Sequence, residues 1–161
     1  MTAKSCLTLT LLTTLLVGTA LAATKTPASV KPHPFVASPY DAAFSSVHAK
    51  NYYLVRWGVD SMTAKAVPSD QLIRFSYRVL DDAKAKPLNA KEAAPQLIDE
   101  KSHVSLVVPT MDKVGQLRQS GIAEAGKTYW MVFSNRGNVV KRGSRVSVVI
   151  GDFRVSGLPV E

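Results

Sequence analysis

One cysteine in 161 residues, Cys6, excludes an internal disulfide framework and any multi-cysteine metal site. The three histidines, His33, His48 and His103, are scattered, whereas a zinc site calls for clustered Cys or His. No serine stands in a G-x-S-x-G elbow. No apolar stretch reaches the roughly 20 mostly apolar residues of a membrane-spanning helix. Acidic residues are scarce, 12 against 20 basic ones, which leaves a net charge of +8. What is present is the balance of a packed globular domain: 46% apolar and 20% charged residues. The length suits one ordinary domain and not two.

The N-terminal residues read as an address. Lys4 is the only charge before residue 25, residues 7–17 are Leu and Thr up to Val17 with no charge, and residues 18–23 (GTALAA) turn small. Ala20 and Ala22 stand where a signal peptidase reads small residues. This three-part pattern is that of a secretory signal peptide, with cleavage expected after Ala22. The apolar stretch to Ala22 is 16 residues long and carries five threonines, too short and too polar for an anchor. Cys6 precedes that stretch and so cannot serve as a lipid-attachment residue at the cleavage site. The product is expected to be exported, periplasmic or extracellular, without a transmembrane segment. Cleavage also removes Lys4 and Cys6. A mature chain of this size buries enough surface to fold without disulfide staples.

Residues 23–50 form an expected linker. Pro27, Pro32, Pro34 and Pro39 sit among Ala, Ser, Thr and Lys, and prolines forbid a regular helix and remove ladder donors. An extended, partly disordered tether follows, with Phe35, Tyr40 and Phe44 able to pin it to a surface.

From residue 51 the apolar period is two. In residues 52–59 (YYLVRWGV), Tyr53, Val55, Trp57 and Val59 share one face of an expected strand. In residues 72–80 (LIRFSYRVL), Ile73, Phe75, Tyr77 and Val79 alternate with Arg74, Ser76 and Arg78, the mark of a half-buried strand. Pro68, Ser69 and Asp70 supply the turn between the two. Residues 81–95 read as a connection with a short helical turn near 91–94. Further strands are expected at 96–99, 104–108, 127–134, 145–150 and 153–160. Thr110 is expected to cap a short helix with Met111, Val114 and Leu117 at spacing three, ended by Gly121. About seven short strands separated by turn signals describe an all-β sandwich or partly open barrel, over residues 51–161.

The segments LIRFSYRVLDDAKAKPL, QLIDEKSHVSLVVPTMDKVGQLRQSG, GKTYWMVFSN and VKRGSRVSVVIGDFRVSGLPVE together resemble a family of small, uncharacterised exported bacterial proteins. The resemblance spans roughly residues 51–161 and implies an immunoglobulin-like β domain. It transfers no functional residues.

Catalytic chemistry has few candidates. His103 before a strand reads as a surface residue. Asp81-Asp82 reads as a turn former, and Asp99-Glu100 would point to opposite faces if both are extended. The segment GIAEAGKT matches the phosphate-loop pattern through Gly121, Gly126, Lys127 and Thr128, but a strand pattern follows where that loop needs a helix. The soft ligands of an exported copper carrier would have to come from His103, Met62, Met111 and Met131, whose spacing makes no motif. No catalytic set, metal site or cofactor is expected. Charge is the stronger signal. Residues 113–161 hold eight basic and three acidic residues, and Arg136, Lys141, Arg142 and Arg145 cluster around two adjacent turns. Such a patch favours an anionic partner. No recognition helix or RNA-binding aromatic motif accompanies it, so sequence-specific nucleic acid is not expected. Trp57 and Trp130 are candidate aromatic contacts, with core packing the competing role.

The sequence therefore points to a non-enzymatic exported β-sandwich that binds an envelope protein or anionic envelope component. A periplasmic small-ligand or copper carrier is the alternative. Intact mass of the protein recovered from an exporting bacterium is expected to match residues 23–161. A mass that retains the first 22 residues would contradict cleavage.

Overall fold

The computed structural model describes residues 46–161, and every structural statement below concerns these. The expected signal peptide, its Ala22 site and linker residues 23–45 lie outside them. The described chain is β-rich, with antiparallel sheets and two short helices. None of its helices is long and apolar enough to cross a membrane.

The first element corrects the sequence reading. Residues 47–57 form a helix, α1 (Val47–Trp57), and not the start of a strand. Ser46 caps its N-terminus, its hydroxyl accepting from the Ala49 N–H at 3.1 Å. Gly58 ends it in the left-handed conformation (φ 61°), its N–H donating to the Leu54 carbonyl at 3.0 Å. Ala49, Tyr53 and Trp57 are the buried positions, four apart, so they form one helical stripe. Val55, expected on the buried face, is 69% exposed. The expected linker–domain boundary at residues 50 and 51 falls inside this helix.

The strand begins only after Gly58. β1 (Val59–Ala66) lacks clean alternation because the register shifts between Asp60 and Thr63, where Ser61 takes a positive φ of 50°. Its buried residues are Val59, Met62, Ala64 and Ala66. β2 (Leu72–Val79) behaves as its alternation requires: Ile73, Phe75, Tyr77 and Val79 are fully buried, and Arg74, Ser76 and Arg78 face outward. β2 is the middle strand of a three-stranded sheet, with β1 on one side and β7 (Thr128–Ser134) on the other. Phe75 lies opposite Met131 and Tyr77 opposite Tyr129. On the outer face the Arg78 guanidinium holds Asp60 in a two-pronged ion pair, at 2.9 and 2.6 Å. Arg78 also holds the Asp60 carboxyl below the usual range.

The connection after β2 holds a second helix, α2 (Asp82–Asn89), in place of the expected helical turn near 91–94. Asp81 caps it, accepting from the Lys84 N–H at 3.1 Å, which lowers the Asp81 pKa. Pro87 lacks the N–H that would continue the ladder, and the helix stops two residues later. Ala85, Leu88 and Asn89 are its buried residues.

The second sheet has the order β4-β3-β8-β9, built from β3 (Gln96–Asp99), β4 (Ser105–Val107), β8 (Arg145–Ile150) and β9 (Phe153–Pro159). Between β4 and β7 the expected helix from Thr110 is absent. Thr110–Met111 (β5) and Gly115–Gln116 (β6) pair as a small hairpin, with Gly115 at φ 76°. Val114 and Met111 are exposed, and of the spacing-three stripe only Leu117 packs against the core. Beyond the hairpin, residues 117–119 run along the outer edge of β7. There the Val132 N–H donates to the Leu117 carbonyl at 3.0 Å and the Gln119 N–H to the Trp130 carbonyl at 2.9 Å.

Both sheets contribute to one hydrophobic core, in which Tyr53 and Trp57 of α1 pack on Phe153 of β9 with ring centroids 5.9 and 5.5 Å apart. The sheets are joined at one seam by main-chain bonds. The Ala66 N–H donates to the Glu161 carbonyl at 2.8 Å, and the Glu161 N–H to the Ala64 carbonyl at 2.9 Å.

Gly58 is the joint at which α1, β1 and the end of β2 meet. Its carbonyl accepts from the Leu80 and Asp81 N–H groups at 2.7 and 3.0 Å, and a Cβ there would sit 2.5 Å from the Asp81 Cβ. Gly58→Ala is therefore expected to destabilise the domain by at least about 2 kcal/mol in urea unfolding. A loss below about 0.5 kcal/mol, the range of a neutral surface change, would contradict this account of the joint.

Candidate functional site

Three pieces of chain meet at one end of the domain: the β1–β2 turn, the β7–β8 connection and the C-terminus. Asn135, the first residue after β7, ties the first two together. It is fully buried. Its Nδ2 donates to the Asp70 carbonyl at 2.6 Å and the Val140 carbonyl at 2.8 Å, and its Oδ1 accepts from the Val140 N–H at 3.0 Å. Its own backbone N–H donates to the Gln71 carbonyl at 2.7 Å. Both amide hydrogens and the amide oxygen are thus satisfied, as burial demands. Val140 is fully buried beside it and anchors the connection in the core. The turn that follows is fixed to the C-terminus: the Gly143 N–H donates to the Val160 carbonyl at 2.7 Å, and the Val160 N–H to the Ser144 carbonyl at 2.9 Å.

The four expected basic residues lie along this connection and at the start of β8. Arg136 follows Asn135, Lys141 and Arg142 occupy the next turn, and Arg145 opens β8. All four are exposed. Their surroundings differ. The Arg142 Nε lies 3.9 Å from the Asp70 carboxylate, and the Arg145 guanidinium donates to the Gly157 carbonyl at 3.5 Å. Arg136 and Lys141 have no ion-pair partner among the described residues. Lys65 is at the same end but is matched by Glu161 at 2.8 Å. Exposed pairs of this kind contribute only about 0–1 kcal/mol, because water and salt screen them. Their effect here is on local charge, and they leave Arg136, Lys141 and Arg145 as the uncompensated cations. The arrangement presents several flexible cationic heads on a fixed backbone, which can hold an anion.

The other candidates are placed as follows. Trp57 is 8% exposed with its ring edge-on to Phe153, so most of it packs in the core. Trp130 is half-buried on the outer face of its sheet, where the Arg74 guanidinium lies 5.3 Å from its ring centre. His103 sits in the turn after β3 with φ 57°, its N–H donating to the Asp99 carbonyl at 2.8 Å. Met62 and Met131 are core residues and Met111 stands exposed in the small hairpin. His48 is exposed on α1, and His33 lies outside the described residues. No group of three or more His, Cys, Asp or Glu residues placed to hold a metal occurs among the described residues.

Asp99 and Glu100 hold separate partners. Asp99 accepts from the Ser102 N–H and hydroxyl at 2.8 and 2.7 Å, and Glu100 from the Ser147 hydroxyl and the Gly157 N–H at 2.9 and 2.6 Å. In the GIAEAGKT segment, Thr128 opens β7 and no helix follows. Lys127 pairs with Glu124 at 2.7 Å, and its pKa is raised by that carboxylate.

Sequence reasoning found the cations but missed Asn135, whose bonds to Asp70 cross 65 positions. The only local trace is an Asn-x-Gly-Asn turn signal at residues 135–138. No family model, curated protein or solved structure matches this chain.

Asn135→Ala would strip the Asp70 carbonyl and both polar groups of Val140 of their partner in a buried setting. The expected loss is about 2–4 kcal/mol, with faster amide exchange at Val140. Unchanged stability and protection would show that Asn135 does not hold this end together.

Proposed function

We propose that this chain is a non-enzymatic binding module, exported to the cell envelope, which engages an anionic envelope component or an acidic envelope protein through its basic end. The observation that carries the reading is the pairing of a rigid scaffold with uncompensated charge. Arg136 and Lys141 project without counter-ions from a connection that Asn135 and Val140 lock in place. Ordering such loops before contact lowers the entropy lost on binding. Net charge of this sign speeds encounter with an anionic partner.

The finer fold reading belongs with this proposal. Two antiparallel sheets feeding one core support an immunoglobulin-like sandwich of the kind the resembled exported family implies. The seam between β1 and the C-terminus gives the arrangement some barrel character. The Pro-rich segment from residue 23 to the start of α1 would act as a spacer.

The test is cross-linked affinity capture of the tagged full chain from its native envelope, beside a variant with Arg136, Lys141, Arg142 and Arg145 all changed to Ala. All four are exposed, so the variant is expected to fold normally. A partner captured by the parent and lost by the variant is the expected result. That capture should also weaken as salt is raised through roughly 0.1 to 0.5 M, where the screening length shrinks to a few ångströms. Equal capture by parent and variant would overturn the role of the basic end.

A further inference from the structure

A cleft of about 430 Å³ opens where the end of α1, one face of α2 and the β8–β9 turn meet. Arg56 and Trp57 line it from α1, Lys84 and Pro87 from α2, and Gly151 and Asp152 from the turn. Each piece is held in place. Trp57 packs edge-on against Phe153 with ring centroids 5.5 Å apart. Lys84 and Pro87 stand three positions apart and so share a face of α2. The turn has only two residues, since Ile150 pairs with Phe153, and Gly151 takes the positive φ of 57° that so tight a hairpin needs. Asp152 therefore stands on a short, fixed turn.

The charged groups of the cleft divide into one that is matched and two that are not. Lys84 lies 3.5 Å from the Asp81 carboxylate. Arg56 and Asp152 are exposed, and among the described residues neither side chain has a hydrogen-bond or ion-pair partner. They do not pair with each other, although both line the same cleft. The Arg56 guanidinium lies 5.5 Å from the Trp57 ring centre. A guanidinium over an indole keeps its in-plane N–H groups available to a carboxylate. The two unmatched charges have opposite signs, and this limits the ligand. A simple anion gains Arg56 but is repelled by Asp152, and a simple cation meets the reverse. A molecule that carries both a carboxylate and an ammonium satisfies both groups at once. Trp57 and Pro87 add apolar surface for a side chain.

We propose that this cleft binds a small zwitterion with an apolar side chain, an amino acid or a short peptide. Its carboxylate accepts from the Arg56 guanidinium, its ammonium donates to the Asp152 carboxylate, and its side chain lies against Trp57 and Pro87. The cleft is at the other end of β8 from Arg145, so the proposal does not depend on the reading of the basic end.

The probes are L-leucine and L-leucyl-L-leucine, each titrated into the 15N-labelled full chain. Saturable shifts of the Trp57 indole N–H and the Gly151 amide are expected, with a Kd of roughly millimolar for ligands this small. Tighter binding of leucine assigns the cleft to a free amino acid, and tighter binding of the dipeptide assigns it to a short peptide. The tighter ligand is then offered amidated, without its carboxylate, and N-acetylated, without its ammonium. Each blocked form is expected to bind at least about threefold more weakly, the scale of one exposed charge pair. Arg56→Gln should remove the preference over the amidated form alone, and Asp152→Asn the preference over the acetylated form alone. Both residues are exposed, so both variants are expected to keep the parent spectrum elsewhere. Equal binding of free and blocked ligands, a preference that survives its matching variant, or no saturable shift with either probe up to tens of millimolar would each overturn the proposal.

Discussion

The burial of one face of β2 is the constraint on which the rest of the structure depends. Ile73, Phe75, Tyr77 and Val79 are each fully removed from water, in the middle strand of the first sheet. At about 1.5–3 kcal/mol for each large apolar side chain, this one face supplies a gross contribution comparable to the whole net stability of an ordinary domain. A one-residue slip would exchange these four for Arg74, Ser76 and Arg78, so the register is strongly set. That register places β1 and β7, and through them the two loops that meet at Asn135. Tyr77 adds a second connection. Its ring packs on Phe75 and Tyr129, while its hydroxyl leaves the apolar layer to meet Asn89 of α2. Burial pushes the Tyr77 pKa upward, so it remains a neutral donor at physiological pH. The core, α2 and the basic end thus rest on one strand.

What was legible in the sequence follows from how strongly each segment is patterned. β2 alternates without error, and β7, β8 and β9 carry aromatic or β-branched residues between clear turn signals, so all four stood out. The segment of residues 52–59 misled because Tyr53 and Trp57, four apart, satisfy both a period of two and a helical stripe. The deciding information lay in the caps, Ser46 and Gly58, and not in the apolar positions. β1 was hidden for the opposite reason. Its sequence VDSMTAKA has weak strand preference and a bulge breaks its alternation, so it becomes a strand through pairing with β2 and the C-terminus. The stripe at Met111, Val114 and Leu117 looked helical, but a stripe stabilises a helix only when there is a surface to bury it against.

The sites divide in the same way. Four exposed cations close together in sequence are visible as composition. The groups that give those cations a fixed platform are not visible, because Asn135 acts through partners distant in the chain. Asn89, which accepts from the Tyr77 hydroxyl, and Arg118, which donates to the Ala90 and Ala93 carbonyls, are a stronger case. Neither belongs to any motif, and their juxtaposition arises only when residues 117–119 run beside β7 and α2 ends against them. Long-range polar contacts of this sort leave no local signature, whereas apolar periodicity does.

The central claim is that the β2 face is the last part of this domain to yield. Native-state hydrogen exchange at the Phe75 and Tyr77 amides tests it most directly. The account predicts that both exchange only through global unfolding, with the same free energy and denaturant dependence as the whole domain. Exchange of these two amides at clearly lower free energy than the amides of β8 would place the stable centre in the other sheet and contradict the account.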